Sequence, residues 1–218
     1  ALARRGPDGE GLWSSSDGRL LLAHRRLSIL DLSPTGAQPM SSADGRFTIV
    51  FNGEIYNFRE LAAGLAAAGV RLYSRSDTEV ILELWRREGP RALAKLRGMY
   101  ALAIWDATTG ELVLARDPYG IKPLFYSLDG GQLRFASLAK ALDAGGGLSR
   151  EVDPAAVAGF LSWGAVPEPL SFRRAIRALP AGHWARVTGD GAFVLEAVPR
   201  LDLEPSPADA AEALAASV

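Results

Sequence analysis

The sequence predicts an α+β domain in which antiparallel strands and helices form layers. Three observations predict this class. Two capped helical patterns lie between residues 57 and 88, pairs of apolar runs joined by Gly-containing turns surround them, and further helical patterns follow. Because strands and helices bury an apolar face only by packing on one another, this mixture favours a layered arrangement.

Two early strands are predicted from apolar runs at residues 20–23 and 47–51. The second run is followed directly by Asn52 and Gly53. An Asn-Gly pair is in general a turn signal, because both residues tolerate a positive φ. Taken alone, the pair therefore predicts a hairpin turn after residue 51.

The two central helices are predicted from N-caps followed by helical spacing. Asn57, with a glutamate three residues later, precedes Leu61 and Leu65. Ser76 and Glu79 form a capping-box pattern that opens the second helix. The predicted buried stripe of that helix comprises Val80, Ile81, Leu84 and Trp85.

Three hairpins and two further helices complete the pattern. The hairpins are predicted at residues 100–115, 124–136 and 183–197, each around a turn that contains Gly. A short helix is predicted near residues 138–142, and another begins after an Asp153 cap with proline at its first position.

The domain organisation follows from a change in composition near the C-terminus. Residues 1–198 are predicted as one domain. Residues 199–207 are rich in proline and acidic residues and are predicted as a linker, and residues 208–218 as the start of an Ala-rich helix. We therefore interpret residues 199–218 as a linker and the first helix of a further domain.

Composition excludes several classes of function. Of the 218 residues, 48% are hydrophobic and 22% charged, which is ordinary for a globular protein. A net charge of −1 gives no reason to expect a nucleic acid or an anionic membrane as partner, and no apolar run approaches the ~20 residues that span a bilayer. The sequence has no cysteine, and its two histidines, His24 and His183, lack metal-ligand spacing. A cytoplasmic protein without a metal site is expected.

The string at residues 51–57, FNGEIYN, holds more information than its turn signal. It resembles the signature of class II glutamine amidotransferases, specifically the glutaminase domain of glutamine-dependent asparagine synthetases. Four more strings follow that family's order and spacing: RGPDG at 5–9, HRRLSILD at 24–31, SDTE at 76–79 and RDPYGIKP at 116–123. Further matches at 97–106, 164–169 and 179–183 extend the resemblance over nearly all of residues 4–184.

The resemblance implies a four-layer αββα sandwich of the N-terminal-nucleophile hydrolase type. In that family an N-terminal cysteine is the nucleophile, and it precedes the Gly-Pro-Asp-Gly turn by a strand and a helix. This chain begins with Ala1 and contains no cysteine. We therefore expect a fold that lacks its first strand, and a truncated domain that is inactive by itself.

The resemblance also implies a receptor for glutamine. Arg26 would bind the α-carboxylate, since a guanidinium bonds both oxygens at once. Glu54 and Asp77 would accept hydrogen bonds from the ammonium group. Asn52 and the backbone N–H of Gly53 would form the oxyanion hole, where donors stabilise developing negative charge.

Simpler structural interpretations stay open for these residues. Arg26 alone could be a surface arginine at a strand end, Glu54 a solvated turn residue, and Asp77 a carboxylate that complements a helix dipole. Ile29 and Leu30 would contribute main-chain contacts to the substrate, while their side chains alone indicate core. Framework roles are expected for Arg5, Asp8, Asp31, His24 and His183, and for a buried turn at residues 117–123.

Two functions are compatible with these residues. In the first, the intact protein is a glutamine-hydrolysing asparagine synthetase, and this domain releases ammonia for the amidation of aspartate. L-glutamine and the chain's own C-terminal synthetase domain would be its partners, and a homodimer is left open. The synthetase domain would need ATP and Mg, and this domain would need no cofactor.

In the second, the domain is an inactive scaffold, like relatives that resemble β-lactam synthetases or lasso-peptide cyclases. The presence of Arg26, Asn52, Gly53, Glu54 and Asp77 favours the first function, because a scaffold does not need a glutamine receptor.

Overall fold

Eleven strands and four α-helices are found in the computed structural model, which describes residues 2–27 and 33–199. The strands are β1 (Gly9–Ser14), β2 (Leu21–Arg26), β3 (Met40–Ser41), β4 (Phe47–Ile55), β5 (Gly98–Asp106), β6 (Glu111–Arg116), β7 (Phe125–Ser127), β8 (Arg134–Ala136), β9 (Arg177–Ala178), β10 (His183–Val187) and β11 (Phe193–Ala197). The helices are α1 (Phe58–Ala67), α2 (Asp77–Glu88), α3 (Ala139–Ala144) and α4 (Pro154–Trp163).

A six-stranded antiparallel sheet in the order β11-β10-β6-β5-β4-β3 forms the centre of the fold. Two smaller sheets have the orders β1-β2 and β8-β7-β9. The three predicted hairpins are confirmed as β5–β6, β7–β8 and β10–β11. The strands β1, β3 and β9 were not predicted, because β3 and β9 have two residues each and β1 is interrupted by glycines.

Layers cover both faces of the large sheet. On one face, α1 and α2 pack with Phe51, Tyr100 and Leu102 in a first hydrophobic core. On the other face, side chains of β1, β7 and β8 pack against the sheet in a second core, and α3 contacts β7 and β8. This arrangement confirms the predicted α+β layering.

Helix α2 is more deeply buried than the predicted stripe. Every residue from 77 to 85 is buried. The Ser76 cap is confirmed, since its hydroxyl accepts a hydrogen bond from the Thr78 N–H at 3.1 Å. The capping-box pattern also predicts a bond from the Ser76 N–H to the Glu79 carboxylate, and this prediction is wrong. Glu79 instead accepts from the backbone N–H groups of Tyr73 (2.8 Å) and Ser74 (2.6 Å). The Ser76 N–H donates to the Ser74 hydroxyl. The loop before the helix brings nearer donors to the carboxylate.

The predicted turn after residue 51 is wrong. Strand β4 continues through Asn52 and Gly53 to Ile55, and its pairing with β5 extends to Ile55 opposite Gly98. Neither Asn52 nor Gly53 has a positive φ. The long partner strand β5 supplies pairing for these residues, so tertiary contacts override the local turn preference.

The caps predicted for α1 and α4 differ in outcome: the cap of α4 is confirmed and that of α1 is not. Asp153 caps α4, accepting the Ala155 N–H at 3.0 Å, as predicted. Asn57 precedes α1, but its side chain binds the backbone of Arg97 and Lys95, each at 3.0 Å, and so ties the start of α1 to the segment before β5.

Residues 200–218, which include most of the predicted linker and helix, lie outside the described residues. Across the described part, no helix has the length and apolar character needed to cross a membrane.

Candidate functional site

The backbone N–H of Gly53 points away from the β5 ladder. Gly53 lies opposite Tyr100 in the register. Tyr100 donates its N–H to Asp117 Oδ2 (3.2 Å) and accepts the Asp117 N–H at its carbonyl (2.8 Å). Because the N–H and C=O of an antiparallel strand residue point to the same side, Tyr100 faces away from β4 and forms a non-hydrogen-bonded pair with Gly53. The Gly53 N–H therefore faces the other side of β4.

On that side of β4, the backbone groups of Phe51 and Ile55 bond side chains rather than a neighbouring strand. The Phe51 N–H donates to Gln38 Oε1 (2.6 Å), and the Phe51 carbonyl accepts from His24 Nε2 (3.1 Å). The Ile55 N–H donates to Asp77 Oδ2 (3.1 Å). Between them, the Gly53 N–H has no hydrogen-bond partner within residues 2–27 and 33–199. It is a donor on an open strand edge.

A glycine is required at position 53 by the approach of β5. A Cβ built there would overlap the backbone oxygen of Met99 and lie 2.8 Å from the Cα of Tyr100. The backbone that approaches so closely is that of β5.

Asn52 and Glu54 present their side chains on the face opposite the helices. Phe51 and Ile55 belong to the core beneath α1 and α2, and side chains alternate along a strand. Asn52 is exposed and makes no hydrogen bond with the described residues, while Glu54 is half-buried. The Asn52 amide and the Gly53 N–H are thus two successive donors without described partners.

Asp77 is a buried carboxylate that holds the end of β4. It is the first residue of α2 and is only 5% exposed. Burial raises the pKa of Asp77, the backbone hydrogen bonds from Ile55 and Thr78 oppose this, and the negative charge of Glu54 raises it further. The two carboxylates therefore repel each other.

Arg26 lies at the end of β2, which contacts β4 through His24. It is two residues beyond His24, about 7 Å along the strand. Its guanidinium is half-buried and donates to the Ser33 carbonyl at 2.9 Å. Burial lowers the pKa of His24, and the positive charge of Arg26 lowers it further. The neighbouring Arg25 instead pairs with Glu10 and donates to the Gly6 carbonyl, so its contacts are structural.

The framework prediction agrees with the structure for the two histidines and for the turn at residues 117–123. His24 bonds the Phe51 carbonyl, and His183 Nδ1 lies 2.7 Å from the Ala181 carbonyl. The turn at 117–123 is held by the fully buried Asp117. Lys122 forms no ion pair with any described residue.

The structure adds Gln38, which sequence reasoning missed. Its Oε1 accepts the Phe51 N–H and its Nε2 donates to Thr78 Oγ1 at 3.2 Å, so it joins β4 to α2 beside Asp77. No local pattern distinguishes this glutamine in the sequence. The predicted contact residues Ile29 and Leu30, with Asp31, lie outside the described residues.

One positive and two negative side chains, Arg26, Glu54 and Asp77, thus lie on three elements that are each tied to β4 or part of it. Within the described ranges, no group of three or more metal-ligating side chains could hold a metal ion. The prediction that this domain needs no cofactor stays a prediction.

Comparison with known sequences identifies the family. The profile of a family described as a glutamine amidotransferase domain matches residues 1–196. Glutamine-hydrolysing asparagine synthetase 1 of Bacillus subtilis strain 168 is 37% identical over 204 residues, covering 94% of this chain and 32% of the relative. Asparagine synthetase B of Escherichia coli K12 is 40% identical over 142 residues, covering 65% of this chain and 25% of the relative. The chain spans a third or less of the length of these relatives.

Comparison with solved structures supports the same fold. Glutamine phosphoribosylpyrophosphate amidotransferase of B. subtilis superposes with a TM-score of 0.58 at 22% identity, covering 82% of this chain and 35% of that one. At this identity the similarity establishes the fold alone. It agrees with the α+β sandwich predicted from the sequence.

Proposed function

The chain belongs to the glutamine amidotransferase domain family, and we propose that it is the glutamine-binding part of a glutamine-hydrolysing asparagine synthetase. The observation that carries the proposal is the Gly53 N–H on the open edge of β4, next to the Asn52 amide: neither donor has a hydrogen-bond partner among residues 2–27 and 33–199. Two successive donors without described partners can donate hydrogen bonds to the oxygen of a tetrahedral intermediate without first breaking other bonds.

The charged residues support glutamine as the ligand. The α-carboxylate would bind the guanidinium of Arg26, and the α-ammonium would bind the carboxylates of Glu54 and Asp77. The ammonium would relieve the repulsion between these two acids, which is part of the reason for the raised pKa of Asp77. The side-chain amide would then extend toward Asn52 and Gly53.

The proposed hydrolysis uses a cysteine nucleophile, and none of these 218 residues is cysteine. In the longer protein, a cysteine thiolate would attack the amide carbon of glutamine, and the oxyanion would bind at Asn52 and Gly53. Collapse of the intermediate would break the C–N bond, with a proton passing to the leaving nitrogen, and release ammonia. Water would then hydrolyse the thioester to glutamate.

The ammonia would be used by a synthetase domain that activates aspartate with ATP and Mg, in the cytoplasm. The names and lengths of the relatives support this part of the proposal.

Calorimetric titration of the 218-residue chain tests the function. L-glutamine should bind with one site per chain, D-glutamine should not, and no glutamate should be released. Folding is checked by circular dichroism in the same sample. A folded chain that does not bind L-glutamine would refute the receptor, and glutamate release would refute the requirement for a cysteine.

A further inference from the structure

A cleft of about 290 Å³ lies at the end of α2 that is remote from Asp77. Its walls come from the end of α1 and the loop after it, the last two turns of α2, and the turn between β3 and β4. Arg87, in its wall, lies ten residues beyond Asp77, about 15 Å along the helix. The cleft is therefore separate from the candidate glutamine site, and its volume is near the lower limit for small-molecule sites.

The cleft has more positive than negative side chains. It is lined by three arginines, Arg71, Arg86 and Arg87, and by two acids, Asp44 and Glu83. Arg71 and Arg87 are exposed, and neither side chain forms an ion pair or a hydrogen bond with any residue in the described part of the chain. Their guanidinium groups are available to a ligand.

Both acids of the cleft already have partners. Glu83 is 7% exposed and accepts a hydrogen bond from Arg86 Nε at 2.9 Å. Asp44 accepts the Ser42 hydroxyl (2.5 Å) and the Arg46 N–H (3.0 Å) within its own turn. These bonds lower the pKa of Asp44, and the positive charge of Arg86 lowers it further. An anion in the cleft would therefore not have to displace a carboxylate from the other two arginines.

Two helices end at the cleft, and the C-terminal end of a helix carries a partial negative charge. At the end of α1 this charge is reduced, because the carbonyls of residues 64–66 accept the N–H groups of Ala68, Gly69 and Val70 at 2.9–3.1 Å. Arg86 and Arg87 lie in the last turn of α2, where they offset the negative end of that helix. Arg71 lies in neither helix, so helix capping does not account for its place in the cleft.

An exposed aromatic ring forms a further wall. Tyr73 is 71% exposed, yet its backbone is fixed by the buried carboxylate of Glu79. That carboxylate accepts the Tyr73 N–H (2.8 Å) and both the N–H (2.6 Å) and the hydroxyl (2.5 Å) of Ser74. A ring on a fixed backbone has less conformational entropy to lose when a ligand covers it. The flat face of a nucleobase can stack on such a ring.

We propose that this cleft binds a small nucleoside phosphate, with the phosphate on Arg71 and Arg87 and the base against Tyr73. Guanidinium groups suit phosphate because their planar donors match its oxygens. The adjacent ring favours a ligand with a planar base over inorganic phosphate. The proposal concerns a second site and does not depend on the binding of glutamine.

Calorimetric titration of the 218-residue chain with AMP at low ionic strength tests the proposal. One site per chain is expected. Adenosine and ribose 5-phosphate should each bind more weakly than AMP, because one lacks the phosphate and the other lacks the base. Added NaCl should weaken the binding of AMP, since the arginines are exposed and their charge is screened.

Charge variants test the position of the phosphate. Arg71→Gln combined with Arg87→Gln should weaken the binding of AMP about 10- to 100-fold, the effect of losing hydrogen bonds to a charged group. Arg59→Gln combined with Arg91→Gln is the matched control. It changes the net charge equally, and both arginines are exposed and lie outside the cleft. Circular dichroism checks that both double variants fold.

The base is tested at the aromatic wall. Tyr73→Ala should weaken the binding of AMP about fivefold or more, the effect of losing one stacking contact, and should leave the binding of ribose 5-phosphate unchanged.

Three results would overturn the proposal. The first is the absence of saturable AMP binding by the folded chain. The second is equal affinity for AMP in the two double arginine variants, which would place the nucleotide elsewhere. The third is an unchanged affinity for AMP in Tyr73→Ala, which would remove the base from the cleft. None of these measurements uses glutamine, so the glutamine receptor and the nucleotide site fail separately.

Discussion

The carboxylate of Asp77 accepts a hydrogen bond from the backbone N–H of Ile55 at 3.1 Å, across 22 residues of sequence. This bond ties the first turn of α2 to the end of β4 that carries Asn52, Gly53 and Glu54. Asp77 therefore has one structural role that the structure shows, and a second, binding the substrate ammonium, that we propose. The two roles can be separated by experiment.

Replacement of Asp77 by asparagine should not destabilise the chain but should weaken glutamine binding. An amide oxygen can still accept the Ile55 N–H, while the ammonium loses an ionic partner. Asp77→Ala is the structural control: it removes the acceptor and should cost about 1–3 kcal/mol in the free energy of unfolding, measured in urea. An Asp77→Asn chain that binds glutamine as tightly as its parent would leave Asp77 a purely structural residue.

The difference in the free energy of unfolding between Asp77→Asn and the parent chain should depend on pH. Burial holds the folded-state pKa of Asp77 above its unfolded value, so the folded chain binds the proton more tightly. The stabilisation from this group is present at low pH and is lost as the pH rises through the folded pKa. Relative to the parent, Asp77→Asn should become more stable as the pH rises through that range. Urea titrations of both chains at several pH values would check this, and a difference independent of pH would contradict it.

Arg26→Ala should abolish glutamine binding, because it removes the fork that would hold the α-carboxylate and leaves Glu54 and Asp77 near an unpaired negative charge. Arg25→Ala is the matched control, since that side chain pairs with Glu10 on the adjacent strand. Calorimetry on both variants measures the difference. In the complete protein, Arg26→Ala should lose glutamine-dependent synthesis but keep ammonia-dependent synthesis. Normal use of glutamine by this variant would end the assignment.

Asn52→Ala should lower turnover far more than it weakens substrate binding. In a chain extended to carry the cysteine nucleophile, the loss of one oxyanion donor should cost ~10²–10³ in kcat, with a small change in KM. The melting temperature should not change, because the Asn52 side chain is exposed and makes no hydrogen bond with the described residues. Equal losses in binding and turnover would assign Asn52 to ground-state binding.

Gly53→Ala should destabilise the fold by roughly 1–3 kcal/mol or more, because the added methyl group overlaps the Met99 carbonyl. Gly64→Ala in α1 is the control, since nothing outside its own helix lies within 4 Å of an added Cβ. That variant should gain about 0.5–1 kcal/mol from helix propensity. Urea midpoints measure both, and a neutral Gly53→Ala would mean that β5 can move away.

Local patterns determined much of this protein. The Ser76 and Asp153 caps, the three hairpins around glycine turns and the spacing of α1 and α2 depend on neighbours within a few residues, and the structure confirms them. The family motifs are also local strings, and the amidotransferase profile confirms the resemblance that they carry. The assignments of Arg26, Asn52, Gly53, Glu54 and Asp77 to substrate came from those strings and stay predictions.

Contacts between distant segments decided features that no local pattern predicts. The Asn52-Gly53 pair by itself predicts a turn, but β5 pairs with both residues and keeps them in a strand. The direction of the Gly53 N–H depends on Tyr100, whose own hydrogen bonds go to Asp117. The bond from Ile55 to Asp77 and the bridge made by Gln38 join segments 13 to 40 residues apart. Sequence periodicity reports which face of an element is apolar, whereas pairing register and donor direction arise only when separate segments pack together.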